Sequence, residues 1–202
     1  MAKEIEDYIR ESLTEEAQAT ALEFIGYVRS SDIELYKDNG PYWKDKIYYW
    51  LRFKGECIAY IAVKNPDEPQ NLWTVWSDDS IAFRDGSIDE ETKNSAWQHI
   101  DFCCRCGSCG GGKRKAVFGK EFDGVCRCTF RVDNPKESDL PFLKKMLALC
   151  KRPLSDRGGC RGRGPEQPQG GREGILLSDC HGIEKRACGG EHNANPQRAN
   201  IR

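Results

Sequence analysis

The sequence predicts an α+β domain in which helices pack on an antiparallel sheet. Three observations predict this fold class. Apolar residues recur at helical spacing between Thr14 and Arg29. Apolar and polar residues then alternate in segments between residues 46 and 77 that are separated by turn sequences. Helical and strand patterns alternate again over residues 89–150, and this order is typical of helices laid against an antiparallel sheet.

The first helix is predicted from about Thr14 to Arg29. Its apolar positions, Ala17, Ala21, Phe24, Ile25 and Val28, follow the helical period. The segment Ser12–Glu15 has the spacing of a capping box, which places the start of the helix there. Residues 3–11 are expected to add a short helix before it.

Three strands are predicted next, as a meander that the first helix covers. In Lys46–Phe53 one face carries Ile47, Tyr49, Leu51 and Phe53, and the other carries Tyr48, Trp50 and Arg52. Lys54-Gly55 indicates a turn, and Glu56–Lys64 reads as a mostly buried second strand. After the proline-containing loop 65–69, Leu72–Ser77 forms the third strand.

The second half is predicted to contain two helices and a strand pair. Asp89 opens a helix that runs to about His99, with acidic residues in its first turn. Lys115–Phe118 and Val125–Val132 form an antiparallel pair around a turn at Gly119. Ser138 caps a last helix that has Pro141 in its first turn and ends near Cys150.

Composition limits the classes of function. The chain has 202 residues, 31 basic against 32 acidic, and a formal net charge of -1, which excludes a globally basic nucleic-acid binder. No run approaches the roughly 20 apolar residues of a membrane span. The charged start, MAKEIEDYIR, lacks the apolar region of a secretory signal. We therefore expect a cytoplasmic protein without a membrane partner.

Residues 153–202 differ from the rest of the chain. All 20 aromatic residues lie before them, and the segment is rich in Gly and Arg. Such a composition cannot bury enough apolar surface to offset the entropy of ordering, so we predict a disordered tail. A frame-shifted end would have the same character. The working unit is then a single domain of residues 1–152, an ordinary size for one core.

The cysteines carry the strongest chemical pattern. Six of the 11 cysteines lie between residues 103 and 128. In a chain without an export signal, this clustering favours a metal over disulfides. Cys103, Cys106 and Cys109 form C-x-x-C-x-x-C, and the glycines that follow suit a zinc-ribbon-like knuckle. We expect these three residues to be zinc ligands within a metal-binding segment, residues 99–128.

A closed zinc site needs a fourth ligand, and Cys126 is the favoured candidate. Cys126 and Cys128 are two apart on one strand, so their Cβ atoms would lie about 6–7 Å apart, too far for both to bind one ion unless the strand is bulged. We place Cys128 in the core. His99 is the substitute ligand, although a histidine at a helix end also interacts favourably with the helix dipole.

Other interpretations of the same segment remain open. Three close cysteines plus a remote one also suit an iron–sulfur cluster, and Cys-x-x-Cys suits a redox-active dithiol. Gly107–Lys113 fits G-x-x-x-x-G-K, but Arg114 stands where a phosphate loop has Ser or Thr. Lys113–Lys115 and the RG-rich tail offer a third possibility, RNA binding, although RG steps are few.

Two further groups of residues are candidates for a binding site. Aromatic side chains at Tyr42, Trp43, 48–50, Trp73 and Trp76 are expected to be core and rim, or to line a pocket for a small molecule. Asp78 and Asp79 follow a strand and read mainly as a polar turn. Only three histidines occur, two of them in the tail, which weighs against His-based catalysis.

The chain also resembles an uncharacterised family of small bacterial proteins. The family combines an aromatic-rich N-terminal half with a motif of the form C-x-x-C-G-x-C-x-G-G…F-G-K-x-F…C. The segments that carry the resemblance are TVWSDD (74–79), HIDFCCRCGSCGGGKRK (99–115), FGKEFDGVC (118–126) and TFRVDNP (129–135). The resemblance covers about residues 5–151, leaves the tail outside, and implies no substrate.

By that resemblance, Cys103, Cys106, Cys109 and Cys126 are the motif positions, whereas Cys104 and Cys128 are incidental. Taken together, the sequence predicts a small cytoplasmic zinc-binding domain that acts as a binding or regulatory module rather than an enzyme. Its partner is expected to be a small molecule or a protein at the aromatic face, with nucleic acid the less favoured partner.

Overall fold

The computed structural model describes residues 3–40, 46–103 and 111–156, and their helices and strands have the predicted α+β arrangement. Within these ranges the α-helices are α1 (Ile5–Ser12), α2 (Glu15–Ser30), α3 (Glu90–Gln98) and α4 (Leu140–Asp156). The strands are β1 (Glu34–Lys37), β2 (Ile47–Phe53), β3 (Glu56–Val63), β4 (Trp73–Ser77), β5 (Ile100–Phe102), β6 (Lys113–Val117) and β7 (Lys120–Asp133). Short 3-10 turns at Ile81–Arg84 and Glu137–Asp139 complete the described elements.

The seven strands form one sheet in the order β1-β2-β3-β4-β7-β5, with β6 also paired to β7. Every pairing is antiparallel. The long strand β7 joins the two halves of the sheet. Its first part, up to Val125, forms a hairpin with β6, its last residues pair with β4, and Val125 and Phe130 pair with β5. Residues close to Cys126 are therefore flanked by strands from both sides.

The helices cover one face of the sheet, and the main core lies between them. Phe24 of α2 packs against Trp73 of β4, with ring centroids 6.2 Å apart. Alternation along the strands supplies the sheet's side of this core, because every second side chain points to the same face. In β2 the helix-facing set includes Tyr49 and Leu51, as predicted, and Tyr48 belongs to a second cluster on the opposite face.

Several elements differ from the sequence prediction. Two short strands, β1 and β5, were not expected. Ser12 is the last residue of α1 rather than the cap of α2; Thr14 occupies the cap position, without a side-chain hydrogen bond. The last helix begins at Leu140 after a 3-10 turn and continues through Pro153 to Asp156, four residues past the predicted boundary at 152.

The predicted tail, apart from the end of α4, lies outside the described residues, as does the segment 104–110. Among the helices that the structure describes, none combines the length and the apolar character that crossing a membrane requires.

Candidate metal centre

Cys103 and Cys126 come together through the pairing of β5 with β7. Phe102 is opposite Val125 in the ladder, and the amide of Cys103 donates a hydrogen bond to the carbonyl of Gly124 at 2.8 Å. The ladder therefore continues one step beyond the end of β5. Because side chains alternate along a strand, Cys103 lies on the face opposite Phe102, which is also the face expected for Cys126. Two predicted ligands thus lie on one face of neighbouring strands.

Strand β7 is bulged in the stretch that carries Cys126 and Cys128. Ile100 pairs with Phe130 and Phe102 with Val125, so two steps along β5 correspond to five steps along β7. An irregularity of this kind bends the strand and redirects its side chains. Cys126 stays partly exposed, whereas Cys128 is only 5% exposed and belongs to the second-face cluster. The predicted burial of Cys128 is confirmed.

The described residues on either side of the segment 104–110 contact β7 at Gly124. On one side Cys103 is hydrogen-bonded to Gly124; on the other side Gly112 packs so closely that an added Cβ would lie 2.1 Å from the Gly124 carbonyl oxygen. Only glycine fits at position 112. Gly124 itself has a φ of 74°, which L-residues with a side chain rarely adopt. Cys103 and Gly112, which flank the segment that carries Cys106 and Cys109, therefore both contact the residue two positions before Cys126.

Asp101 belongs to this group, and the sequence analysis did not identify it. Its carboxylate accepts a hydrogen bond from the Cys126 thiol. Burial raises the pKa of Asp101 to about 6, although the neighbouring Arg131 guanidinium acts in the opposite direction. The position of Asp101 two residues before Cys103 was the available clue, because on an extended strand these residues share a face.

His99, the predicted substitute ligand, is turned toward the last helix. Its ring stacks on Phe142, with centroids 5.3 Å apart, and its Nε2 lies 3.6 Å from a carboxylate oxygen of Asp139. Burial lowers the pKa of His99, with Asp139 opposing that shift. His99 is also the C-cap of α3, in keeping with the predicted helix-end role. These contacts favour Cys126 over His99 as a ligand.

The remaining predicted ligands, Cys106 and Cys109, lie outside the described residues. Within the described ranges, no three His, Cys, Asp or Glu side chains converge closely enough to hold a metal ion. The same ranges contain five cysteines, none of which is joined by a disulfide to another of the five: Cys57, Cys103, Cys126, Cys128 and Cys150. The described part of the site therefore consists of two thiols on one face and the carboxylate beside one of them.

The aromatic residues do not form a single face. Tyr49 and Trp73 point into the helix-covered core, while Tyr48, Tyr60 and Trp76 form the second cluster and are each less than 5% exposed. The ring of Tyr48 is 6.0 Å from that of Tyr60 and 6.2 Å from that of Trp76. The predicted Tyr42 and Trp43 lie outside the described residues. The core-and-rim interpretation describes most of this group better than a shared pocket does.

Asp78 and Asp79 form a polar turn, as the sequence analysis favoured. Asp78 accepts a hydrogen bond from the Asp79 amide at 2.8 Å and from the Tyr60 hydroxyl at 3.3 Å. Asp79 accepts from the Thr129 hydroxyl at 2.9 Å and lies 3.2 Å from the Lys115 ammonium. Through these contacts the two carboxylates connect the end of β4 to β3, β6 and β7.

Comparisons with known proteins assign neither a family nor a function to this chain. No protein-family model, curated protein or solved structure matches this chain.

Proposed function

We propose that this protein is a small zinc-binding module with a binding or regulatory role, in which Cys103, Cys106, Cys109 and Cys126 hold the ion. The observation that carries the proposal is the register between β5 and β7. It brings Cys103 and Cys126, which are 23 positions apart in the sequence, to one face of adjacent strands. Thiolate sulfur is a preferred zinc ligand, and four sulfurs make a closed structural site.

The contacts at Gly124 support the contribution of the segment 104–110. Cys103, just before this segment, and Gly112, just after it, both contact Gly124. Cys106 lies three residues after Cys103, and Cys109 three residues before Gly112. Short connections of this length limit how far either thiol can be from Cys126.

A reducing compartment suits this proposal, so we place the protein in the cytoplasm. Zinc binds deprotonated, reduced cysteines, and thiols persist where glutathione keeps them reduced. The proposed partner is a small molecule or a protein that reaches the aromatic edge of the second face. There Arg52 lies over the ring of Tyr36 at 4.0 Å, and Tyr36 is 49% exposed. Exposed Tyr and Arg side chains are typical of interaction surfaces.

RNA binding through Lys113–Lys115 is less well supported. The Lys115 ammonium is hydrogen-bonded to Thr129 and lies near Asp79, while Arg114 is bonded to Glu121 at 2.9 Å. Basic groups that already have acidic neighbours contribute less to phosphate binding.

An iron–sulfur cluster or a redox-active dithiol would use the same cysteines as the proposed zinc site. The metal content of the purified protein distinguishes these possibilities.

The experiment is elemental analysis of the full chain, purified without added metal, together with C126S and C57S. We expect one equivalent of zinc in the parent protein and in C57S, because Cys57 lies on β3 away from the site. We expect C126S to lose zinc. Stoichiometric iron with a brown colour would replace the zinc assignment with a cluster, and a metal-free parent protein would contradict it.

A further inference from the structure

We propose that Asn39 is a self-modification site, at which the chain converts this asparagine to aspartate and isoaspartate and releases ammonia. The reaction consumes water and needs no cofactor, so the inference does not depend on the proposed zinc function. Asn39 precedes Gly40, and this is the only Asn-Gly step in the sequence. The modification is covalent and changes the charge of the chain.

The chemistry is an attack by the backbone on the neighbouring side chain. The amide nitrogen of Gly40 forms a bond to the side-chain carbonyl carbon of Asn39, and the bond from that carbon to Nδ2 breaks. Nδ2 leaves as ammonia with the proton that the Gly40 nitrogen gives up. Water then opens the five-membered imide at either of its carbonyl groups. One opening gives aspartate at position 39, and the other gives isoaspartate, in which the backbone runs through the side-chain carbons.

Asn39 has the freedom that closure of this ring needs. Its side chain is exposed and follows the end of β1, outside any helix or strand. Among the residues that the structure describes, none is recorded as holding the Asn39 side chain by a hydrogen bond. Gly40 has no Cβ to obstruct the approach of the side-chain carbon to its nitrogen. The two reacting groups are adjacent in one chain, which removes the need for a bimolecular encounter.

The Asp38 carboxylate is placed to act as the base. Its Oδ1 accepts a hydrogen bond from the Gly40 amide at 2.9 Å, and its Oδ2 accepts one from Nε1 of Trp50 at 2.9 Å. The amide of Asp38 also donates to the carbonyl of Tyr48 at 3.0 Å, which keeps this residue beside β2. The N–H of a planar peptide lies in the peptide plane, whereas the attack proceeds perpendicular to that plane. The Gly40 nitrogen can therefore face the base and the reacting carbon together.

The other asparagines that the structure describes lack this combination. Asn65 and Asn134 are each followed by proline, which has no N–H to give up. Asn94 lies within α3, where the following backbone nitrogen is part of a helical turn. Asn71 is only 8% exposed, and the amide of Leu72 that would attack donates to the Asn134 side chain at 2.6 Å. Reaction is therefore expected at Asn39 before these sites.

The products would change the end of β1. Either product places a second carboxylate next to Asp38, and isoaspartate also lengthens the backbone between Asp38 and Gly40. Asp38 is hydrogen-bonded to Trp50, and the Arg52 guanidinium lies 5.2 Å from the ring of Trp50. The modification would therefore add negative charge beside the surface that we assign to a partner.

The first test is incubation of the full chain at neutral pH and body temperature, followed by tryptic peptide mapping. We expect peptide 38–44 to gain the mass of an amide converted to an acid and to split into two products, aspartate and isoaspartate. The rate at Asn39 should be at least about ten-fold higher than at Asn94, and G40A should slow it at least about ten-fold because a methyl group crowds the attack. Equal rates at Asn39 and Asn94 would overturn the site.

The second test concerns Asp38, through D38N, which keeps the size of the side chain and an oxygen acceptor but removes the basic carboxylate. We expect D38N to slow the reaction at position 39 about ten-fold in the folded protein. The difference should narrow in concentrated urea, where the fold no longer holds the carboxylate against Gly40. Far-UV circular dichroism shows that the variants are folded, and fragment spectra assign the change to position 39. Equal rates for the folded parent protein and folded D38N would overturn the role of Asp38.

Discussion

The helix-covered core and the cysteine region are built on different principles. In the core, side chains from α1, α2 and α4 meet β2, β3 and β4, and large residues such as Phe24 and Leu143 are fully buried. Around Cys103 and Cys126 the contacts include a backbone hydrogen bond from Cys103 to Gly124, the close packing of Gly112 on Gly124, and the neighbouring carboxyl group of Asp101. The first region is stabilised by apolar burial. The second is the region in which we propose that an ion contributes to stability.

This difference explains why one chain can carry both regions. The strands β2, β3 and β4 and the helices form the core, and β7 extends from that part of the sheet to the region of Cys103 and Cys126. Under the proposed zinc function, metal binding would add stability locally, because an ion that binds only the folded state shifts the equilibrium by mass action. The four changes below separate the two contributions, from the largest expected effect to the smallest.

Phe24→Ala tests the burial side of the comparison. Removing a fully buried ring leaves a cavity against Trp73, so we expect a loss of about 3–5 kcal/mol in the free energy of unfolding. The loss should be the same with and without a chelator, because Phe24 packs in the helix-covered core and is not one of the proposed ligands. Chemical denaturation measures the free energy of unfolding. If the loss disappeared when zinc was removed, the core and the metal site would not contribute independently to stability.

Cys126→Ser tests the metal side. With zinc in hundred- to thousand-fold excess over its dissociation constant, binding contributes about 3–4 kcal/mol, and we expect most of this to disappear. Cys106→Ser should behave in the same way if Cys106 binds the ion. Thermal unfolding with and without chelator isolates the zinc-dependent part.

The control for these serine variants is Cys150→Ser, which changes a cysteine buried in the core. Its cost should be independent of zinc. Equal chelator-sensitive shifts in Cys126→Ser and Cys150→Ser would count against a site at Cys126.

Gly112→Ala tests the junction between the two regions. Its Cβ would meet the carbonyl of Gly124, so the backbones must separate, at a cost of about 1–3 kcal/mol and with weaker zinc binding. Gly26→Ala is the matched control, since nothing lies within 4 Å of the added Cβ in α2. We expect Gly26→Ala to gain about 0.5–1 kcal/mol through helix propensity. Unchanged zinc binding in Gly112→Ala would show that the contact is dispensable.

The smallest expected effect concerns His99. Burial lowers its pKa in the folded protein below the ordinary value of 6.5, so the unfolded chain takes up a proton first as the pH falls. The stability contributed by neutral His99 is therefore present above about 6.5 and is lost as the pH falls through the folded-state pKa. His99→Phe should retain the stacking on Phe142 and flatten this part of the pH profile. A profile identical to that of the parent protein would argue against the shift.

The sequence predicted the long elements of the fold because their patterns are local. Helix α2 and strands β2, β3 and β4 were each placed to within one or two residues of the observed ends. Strands β1 and β5 were missed because they have four and three residues, respectively. A strand that short has no internal period, and its conformation is set by the neighbour with which it pairs.

The candidate site was predictable only in part, because some of its features depend on how distant strands pair rather than on a local sequence pattern. Cysteine spacing identified Cys103 and Cys126 as candidates, and strand periodicity separated Cys126 from Cys128. Asp101 was missed because its relation to Cys126 depends on how β5 pairs with a bulged β7. The role of Gly112 depends on a contact with Gly124 that no local pattern shows. Residues 104–110, which carry Cys106 and Cys109, lie outside the described residues, so their predicted role stays a prediction.

The central claim is that the thiols of Cys103 and Cys126 bind the same ion, and cobalt substitution tests it most directly. Thiolate-to-cobalt absorption grows with the number of sulfur ligands on the metal. We expect the absorption per bound cobalt to fall in C103S, to fall in C126S, and to stay at the parent value in C57S. Full parent intensity in either C103S or C126S would contradict the claim.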